Sequence, residues 1–179
     1  YFGYDKAEQQ RVQQHRLEHL GISAFFARHD ALRVPKVLAP ITAHYSRSKG
    51  MKLLGLGRAQ LALLPQRDMR VDLDALDAEL QRCRDAQQPV LMAVGVFGTT
   101  EYGTVDPIDG LVAARDRFAA NGLGFSVHVD AAWGGYLATM FRNEDGSLRP
   151  RAAVNAGFDA FPSPAVHAEH AGIEVMHRQ

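Results

Sequence analysis

A carboxylate and several small residues follow an apolar run in the stretch FSVHVDAAWGGY, residues 125–136. Asp130 ends the run and Ala132 comes two positions later, so an extended chain would point both side chains the same way. A carboxylate held there can keep a basic ring nitrogen protonated, because an opposite charge raises the pKa of that nitrogen. Ala132 leaves room for a flat ring, and Gly134 and Gly135 let the backbone turn away without filling the space.

Two other polar groups follow candidate strands. His44 comes after KVLAPITA, and GTTEYGTVD, residues 98–106, comes after PVLMAVGVF. In a parallel sheet these strand ends lie at one edge, where ligands bind in open α/β folds. Thr99 and Thr100 could belong to the site, or they could be ordinary turn residues. Asp106 is most simply interpreted as a helix cap.

Two chemistries suit these residues. A pyridoxal phosphate ring needs a carboxylate at its nitrogen, a small group on one face and a planar group on the other, and Asp130, Ala132 and His44 could supply them. The alternative is a metal site, because His128 and Asp130 share one face of a strand and both types bind divalent metals. The histidines and the glutamate of the tail are interpreted as solvated, and no metal is predicted. They are His167, Glu169, His170 and His177.

Strands and helices are predicted to alternate from about residue 37 to residue 130, which favours an α/β fold with a mainly parallel sheet and flanking helices. Asp72 or Asp74 can cap one helix, and Gly122 follows the end of the next. The periodicity is lost after Tyr136, where a loop is expected. The predicted helices cover residues 6–28, 46–57, 71–87 and 105–122, and the predicted strands cover residues 36–44, 59–65, 89–97 and 123–130.

The composition is that of an ordinary globular protein. The 179 residues carry a formal net charge of zero, with 46% hydrophobic and 22% charged residues. This balance argues against nucleic-acid and membrane partners. The single cysteine, Cys83, cannot form an intramolecular disulfide and is expected to be buried in a helix. A cytoplasmic location is expected, because such cysteine usage agrees with a reducing compartment.

Three segments, in this order along the chain, resemble blocks of one enzyme family: HYSRSKGMKLLGLG, GTTEYGTVDPI and HVDAAWGGY. The family is the group II pyridoxal-phosphate-dependent amino-acid decarboxylases, which include the aromatic amino-acid, tyrosine, histidine and glutamate decarboxylases. The resemblance extends over roughly residues 34–137. Three matching blocks in the correct order are far more specific than any one of them.

The resemblance implies part of the large domain of a fold-type I pyridoxal enzyme, which forms a homodimer. It implies that His44 stacks on the cofactor ring, Thr100 lies beside it, Asp130 holds the ring nitrogen and Ala132 packs on the opposite face. The implied reaction is decarboxylation of an aromatic or acidic L-amino acid to its amine. Another fold-type I enzyme, such as a lyase or desulfurase, is the alternative, and a metal-dependent hydrolase using His128 and Asp130 is the alternative from another class.

The same resemblance suggests a division of the chain into three parts. Residues 1–30 are expected to form a helical lead-in, and residues 31–137 part of the domain that binds pyridoxal phosphate. Residues 138–179 are expected to form a variable, loop-rich segment that precedes the block with the cofactor-binding lysine.

The sequence departs from the family at Arg47, where an aromatic residue is usual, and at Gly50, where alanine is usual. Both changes are expected to affect helix packing. Family members hold the cofactor through a lysine that directly follows a histidine, downstream of the aspartate. All four lysines of this chain precede Asp130, and none directly follows a histidine: Lys6, Lys36, Lys49 and Lys52. We therefore expect an internal fragment of a decarboxylase, inactive by itself.

Overall fold

A parallel sheet forms the centre of the computed structural model, which describes residue 3 and residues 5–158. The strands are β1 (Lys36–Pro40), β2 (Leu61–Leu64), β3 (Gln66–Arg67), β4 (Arg70–Val71), β5 (Val90–Val96) and β6 (Ser126–Asp130). Four of them form the sheet in the order β2-β1-β5-β6, with every pair parallel. The short strands β3 and β4 form a separate antiparallel pair. The predicted α/β class is confirmed.

Helices cover both faces of this sheet. They are α1 (Lys6–Gln13), α2 (Leu17–Leu20), α3 (Ile22–Arg28), α4 (Ser46–Leu53), α5 (Leu73–Asp85), α6 (Ile108–Ala119) and α7 (Arg151–Phe158). On one face, Leu38 packs with Leu80 of α5 and Leu111 of α6, and on the other, Val37 packs with Met51 of α4. Successive β1 side chains therefore serve opposite faces, as the pleat requires. Within the described residues, no helix is both long and apolar enough to cross a membrane.

Helix α5 begins at the predicted cap. The Asp72 carboxylate accepts hydrogen bonds from the backbone N–H groups of Asp74 (2.9 Å) and Ala75 (3.3 Å). These donors have no partner within the helix itself, so the side chain satisfies them. Cys83 near the other end of α5 is buried, as predicted.

Replacing Asp72 with alanine is expected to lower the free energy of unfolding by about 1 kcal/mol, because two N–H groups lose their acceptor. Urea denaturation followed by circular dichroism would measure the change. Asp74→Ala is the matched control, since Asp74 lies in the same first turn but its side chain is 81% exposed. Equal effects of the two substitutions would show that Asp72 acts through its charge and not as a cap.

The N-terminal prediction of one helix over residues 6–28 is wrong, because this segment forms three helices. Arg16 adopts an extended backbone between α1 and α2, and Gly21 separates α2 from α3 with φ of +74°. Glycine adopts this left-handed conformation without strain, which permits the break. The first strand is also shorter than predicted. It ends at Pro40, so His44 lies in the loop before α4 and not at the strand end.

The segment after Tyr136 contains more structure than predicted. Residues Gly134–Phe141 form a 3-10 helix, and α7 follows the turn that joins Arg142 to Leu148. Phe141 and Val154 of this segment are buried against Phe97. Short helices anchored by single apolar residues produce little periodicity in the sequence, so the signal was weak. His167, Glu169, His170 and His177 lie outside the described residues.

The interpretation of Asp106 as a helix cap is wrong. Helix α6 begins after Pro107 without a side-chain cap, and Gly122 follows its end as predicted. The Asp106 side chain is fully buried and accepts hydrogen bonds from the backbone N–H groups of Val71 (2.7 Å) and Val96 (2.6 Å). Asp106 therefore joins the end of β4 to the carboxyl end of β5.

Candidate active site

A cavity of about 190 Å³ opens at the carboxyl ends of the central strands. All four predicted site residues line it: His44, Thr100, Asp130 and Ala132. They come from three separate loops and strand ends, and the parallel sheet brings them together. The sequence therefore predicted four residues of this cavity, and the cofactor roles of these residues stay predictions.

Asp130 occupies the last position of β6, opposite Val96 of β5 in the parallel register. Its side chain is 14% exposed, and Oδ2 accepts a 2.6 Å hydrogen bond from Nη2 of Arg47. Oδ1 receives only a long contact of 3.4 Å from the backbone N–H of Ala132. A carboxylate oxygen can accept two hydrogen bonds, so Oδ1 has capacity for a further donor in the cavity.

The charge state of Asp130 follows from two opposing effects. Burial by itself would raise the pKa of Asp130, but the hydrogen bond and the charge of Arg47 outweigh burial and hold the pKa below its ordinary value. Asp130 is therefore a carboxylate at neutral pH. That charge is the property needed to hold a cationic ring nitrogen.

Arg47 also lines the cavity, and the sequence did not predict its role there. Its difference from the family predicts an effect on helix packing, yet its guanidinium pairs with Asp130 across 83 positions of sequence. Gly50, the other position at which the sequence departs from the family, has no packing effect among the described residues. A Cβ added there would meet no atom within 4 Å. Only the placement of α4 above the strand ends reveals the role of Arg47.

His44 lies exposed at the mouth of the cavity. Its Nδ1 accepts a 3.3 Å hydrogen bond from the backbone N–H of Ser46, which leaves the hydrogen of a neutral ring on Nε2. The ring of Tyr45 lies 4.1 Å away between centroids, tilted by 43°. His44 therefore has a defined orientation, with one face available for a flat ligand.

The adjacent residues Thr99 and Thr100 have different environments. Thr99 is buried, and its hydroxyl accepts the backbone N–H of Thr104 (3.2 Å) and lies 3.0 Å from the Thr104 hydroxyl. Thr99 is thus the turn-forming residue of the loop after β5. Thr100 is exposed and lines the cavity, which leaves its hydroxyl available to a ligand.

The glycine after Trp133 allows the backbone to approach β5 closely. A Cβ at Gly134 would lie 2.2 Å from the carbonyl oxygen of Phe97, and one at Gly98 would lie 2.9 Å from Gly134. Both distances are shorter than real Cβ contacts allow. The close approach of these two backbone segments therefore requires glycine at both positions. The prediction that Gly134 serves to leave space is therefore only part of its role.

Two polar atoms of the cavity residues remain without partners. Thr42 Oγ1 and Arg47 Nε are buried and find no hydrogen-bond partner among the residues that the structure describes. Buried polar groups in native proteins are nearly always satisfied. Both groups belong to residues that line the cavity.

Neither lysine of α4 lines this cavity. The Nζ of Lys49 lies 4.5 Å from the centroid of the Tyr45 ring, and Lys52 follows on the same short helix. Lys36 begins β1 at the opposite edge of the sheet, where its Nζ pairs with Glu79 at 2.8 Å. Lys6 lies in α1, away from the sheet.

The geometry gives little support to a metal site at His128 and Asp130. His128 is exposed two positions before Asp130, and Asp130 already pairs with Arg47. Within residues 3 and 5–158, no three side chains of His, Cys, Asp or Glu form a group that could hold a metal ion. No specific observation therefore favours a hydrolase.

Comparisons with known proteins show the family of the chain. The model of a family described as the pyridoxal-dependent decarboxylase conserved domain matches residues 26–156. An L-tyrosine decarboxylase of Enterococcus faecium is 38% identical over 128 residues, which cover 71% of this chain and 21% of the relative. A probable L-aspartate decarboxylase of Haloarcula marismortui is 39% identical over 102 residues, covering 57% and 25%.

Solved structures share the fold. The crystal structure of mouse CSAD superimposes with a TM-score of 0.57 at 26% sequence identity, covering 76% of this chain and 26% of that structure. The chain spans about a fifth to a quarter of the length of the curated relatives named above.

Proposed function

Because the chain belongs to the pyridoxal-dependent decarboxylase family, we propose that the natural gene product carrying this sequence decarboxylates an L-amino acid with pyridoxal 5'-phosphate. The observation that supports this most strongly is the cavity at the carboxyl ends of the strands, which His44, Thr100, Asp130 and Ala132 line. A partly buried carboxylate, a planar side chain and a small residue around one space match the needs of that cofactor.

The residues present fit the ring of pyridoxal phosphate. Asp130 is ionised, and its Oδ1 has capacity for the N–H of a protonated ring nitrogen. The ring of His44 can stack on one face of the cofactor, and Ala132 is small enough to pack on the other. Thr100 presents an exposed hydroxyl at the side of the cavity.

The cofactor supplies a ring that accepts the electron pair released when the bond to the α-carboxylate breaks. The chain's own residues prepare this step. Asp130 stabilises positive charge at the ring nitrogen, since a fixed carboxylate in a partly buried site favours the protonated form. His44 and Ala132 would hold the ring between them, which keeps the reacting bond in a defined orientation.

The proposed substrate is an aromatic or acidic L-amino acid, and the neighbouring cavity supports the aromatic class. This second cavity has a volume of about 510 Å³ and adjoins the first through Thr42, His44 and Thr100. Tyr45 and Tyr102 contribute aromatic surface to it. Among the described residues, no lysine or arginine lines it, so an acidic side chain would find no opposite charge there.

The remaining proposals concern the whole protein. We propose that it is a cytoplasmic homodimer, in which residues 31–137 form part of the cofactor-binding domain. Large apolar side chains near the site support a subunit interface: Trp133 is 72% exposed and Tyr136 is 86% exposed. Cys83 is an unpaired, buried thiol, which agrees with a reducing compartment.

Borohydride reduction of the natural gene product with pyridoxal phosphate, followed by peptide mapping, tests the proposal. We expect the cofactor to be fixed to a lysine outside this sequence, and the untreated protein to release carbon dioxide from an aromatic L-amino acid. The control is the same reduction of protein unfolded in urea, which should fix no cofactor at a specific position. No fixation and no carbon dioxide release would contradict the proposal. Fixation at Lys49 or Lys52 would contradict only the expected position of the lysine.

A further inference from the structure

The contact between Arg47 and Asp130 joins helix α4 to the carboxyl end of strand β6. Arg47 lies in the first turn of α4, and Asp130 ends β6, with β5 between β1 and β6 in the sheet. The guanidinium Nη2 and the carboxylate Oδ2 are 2.6 Å apart, and the side chains are only 21% and 14% exposed. Such a partly enclosed charge pair is screened by solvent far less than a surface pair.

The pair changes what the cavity presents to a ligand. A lone carboxylate presents one full negative charge, whereas a carboxylate paired with a guanidinium is close to neutral overall. Oδ2 is occupied by Arg47, while Oδ1 keeps only the 3.4 Å contact from the N–H of Ala132. The geometry thus leaves one oxygen for a ligand and lowers the negative charge behind it.

Resting on the proposed function, we propose that Arg47 is a positioning residue that leaves only Oδ1 of Asp130 to the cofactor ring nitrogen and weakens the attraction of Asp130 for the ring proton. Arg47 acts through Asp130, by occupying Oδ2 and by partly neutralising the carboxylate. The result is a ring nitrogen that is protonated less readily than one facing an unpaired aspartate.

The size of this effect follows from ordinary electrostatics. An opposite charge within a few ångströms changes protonation equilibria in proteins by about tenfold or more. Removing the positive charge of Arg47 should therefore strengthen the interaction between Asp130 and a protonated ring nitrogen by about tenfold. An interaction that does not involve the ring nitrogen should change much less.

Two ligands that differ only at the ring nitrogen isolate this interaction. We would measure the dissociation constants of pyridoxal phosphate and of its 1-deaza analogue, in which a C–H replaces the nitrogen, on the cofactor-depleted natural gene product. The ratio of the two constants reports the contact with Asp130. It needs no turnover, and a purely structural defect would weaken both ligands together and leave the ratio unchanged.

Arg47→Met is expected to raise the preference for pyridoxal phosphate over the deaza analogue by about tenfold, because the compensating charge is lost. Arg47→Lys is the matched control, since it keeps the charge and should keep the natural ratio. Arg47→Gln replaces Arg47→Met if the latter does not fold, because its amide can still donate to Oδ2 without a charge.

The outcomes separate the two proposals. An unchanged ratio in Arg47→Met or Arg47→Gln, with both ligands still bound, would overturn the role of Arg47 and leave the cofactor site standing. Equal weakening of both ligands would also overturn it, by showing that Arg47 only maintains structure. If the natural protein binds neither ligand, the proposed function fails, and the inference about Arg47 fails with it.

Discussion

Asp130→Asn is expected to lower the decarboxylation rate of the natural gene product by about 100-fold or more. The substitution keeps the size of the side chain and one oxygen acceptor but removes the negative charge. Without that charge the ring nitrogen is no longer held protonated, and the ring accepts electrons less readily. The change would be measured as carbon dioxide release under saturating pyridoxal phosphate.

Asp116→Asn is the matched control for this prediction. Asp116 lies on α6 with its side chain 65% exposed, and it pairs with the neighbouring Arg115 on the surface. The same chemical change there should leave the rate near that of the natural protein. Because Asp130 also pairs with Arg47, circular dichroism must show that Asp130→Asn is folded. A folded Asp130→Asn protein with the natural rate would contradict the assignment of Asp130 to the ring nitrogen.

Asp106→Ala is expected to destabilise the fold by about 3 kcal/mol, which is the largest stability effect we predict. The fully buried carboxylate accepts the backbone N–H groups of Val71 and Val96, and alanine would leave both donors buried without a partner. Each such donor costs about 1–3 kcal/mol. Urea denaturation would measure the loss, with Asp116→Ala as the exposed control on α6.

The effect of Asp106→Ala should also depend on pH. Burial raises the pKa of Asp106, and the two N–H donors offset this only in part. A raised pKa means that the protonated side chain stabilises the folded state. That contribution is fully present below the unfolded pKa of about 3.9 and is lost as pH rises through the folded pKa. Asp106→Ala should therefore cost more stability at about pH 4 than at about pH 7.

A result of the opposite sign would show that Asp106 is preferentially ionised in the folded protein. The difference between the natural protein and Asp106→Ala would then grow as the pH rises. Asp130 remains in both proteins and has its own lowered pKa, so its contribution cancels in this comparison.

Local sequence features predicted the elements that carry the site. The apolar run before Asp130 and the acidic start of the helix after Asp72 are signals carried by neighbouring residues, and both match the structure. The gathering of His44, Thr100, Asp130 and Ala132 was also predicted, because parallel strands place their carboxyl ends at one edge. The family resemblance rested on the same segments.

Local features also explain the wrong predictions. The break between α1 and α2 falls at Arg16, a residue type that is common within helices, so only the observed extended backbone reveals it. Asp106 precedes a proline at the start of α6, the usual position of a cap, but its side chain turns into the interior instead. For Asp106, the local preference was overridden by hydrogen bonds to distant parts of the chain.

The sequence by itself determined the strand and helix alternation, the strand-end position of Asp130 and a cap at Asp72 or Asp74, because these depend on residues within a few positions of each other. Only the tertiary structure decided the strand order β2-β1-β5-β6 and the partners of the two key carboxylates. Asp106 reaches Val71 across 35 positions, and Asp130 meets Arg47 across 83 positions. Such contacts form only when the sheet has brought the segments together, so no local pattern encodes them.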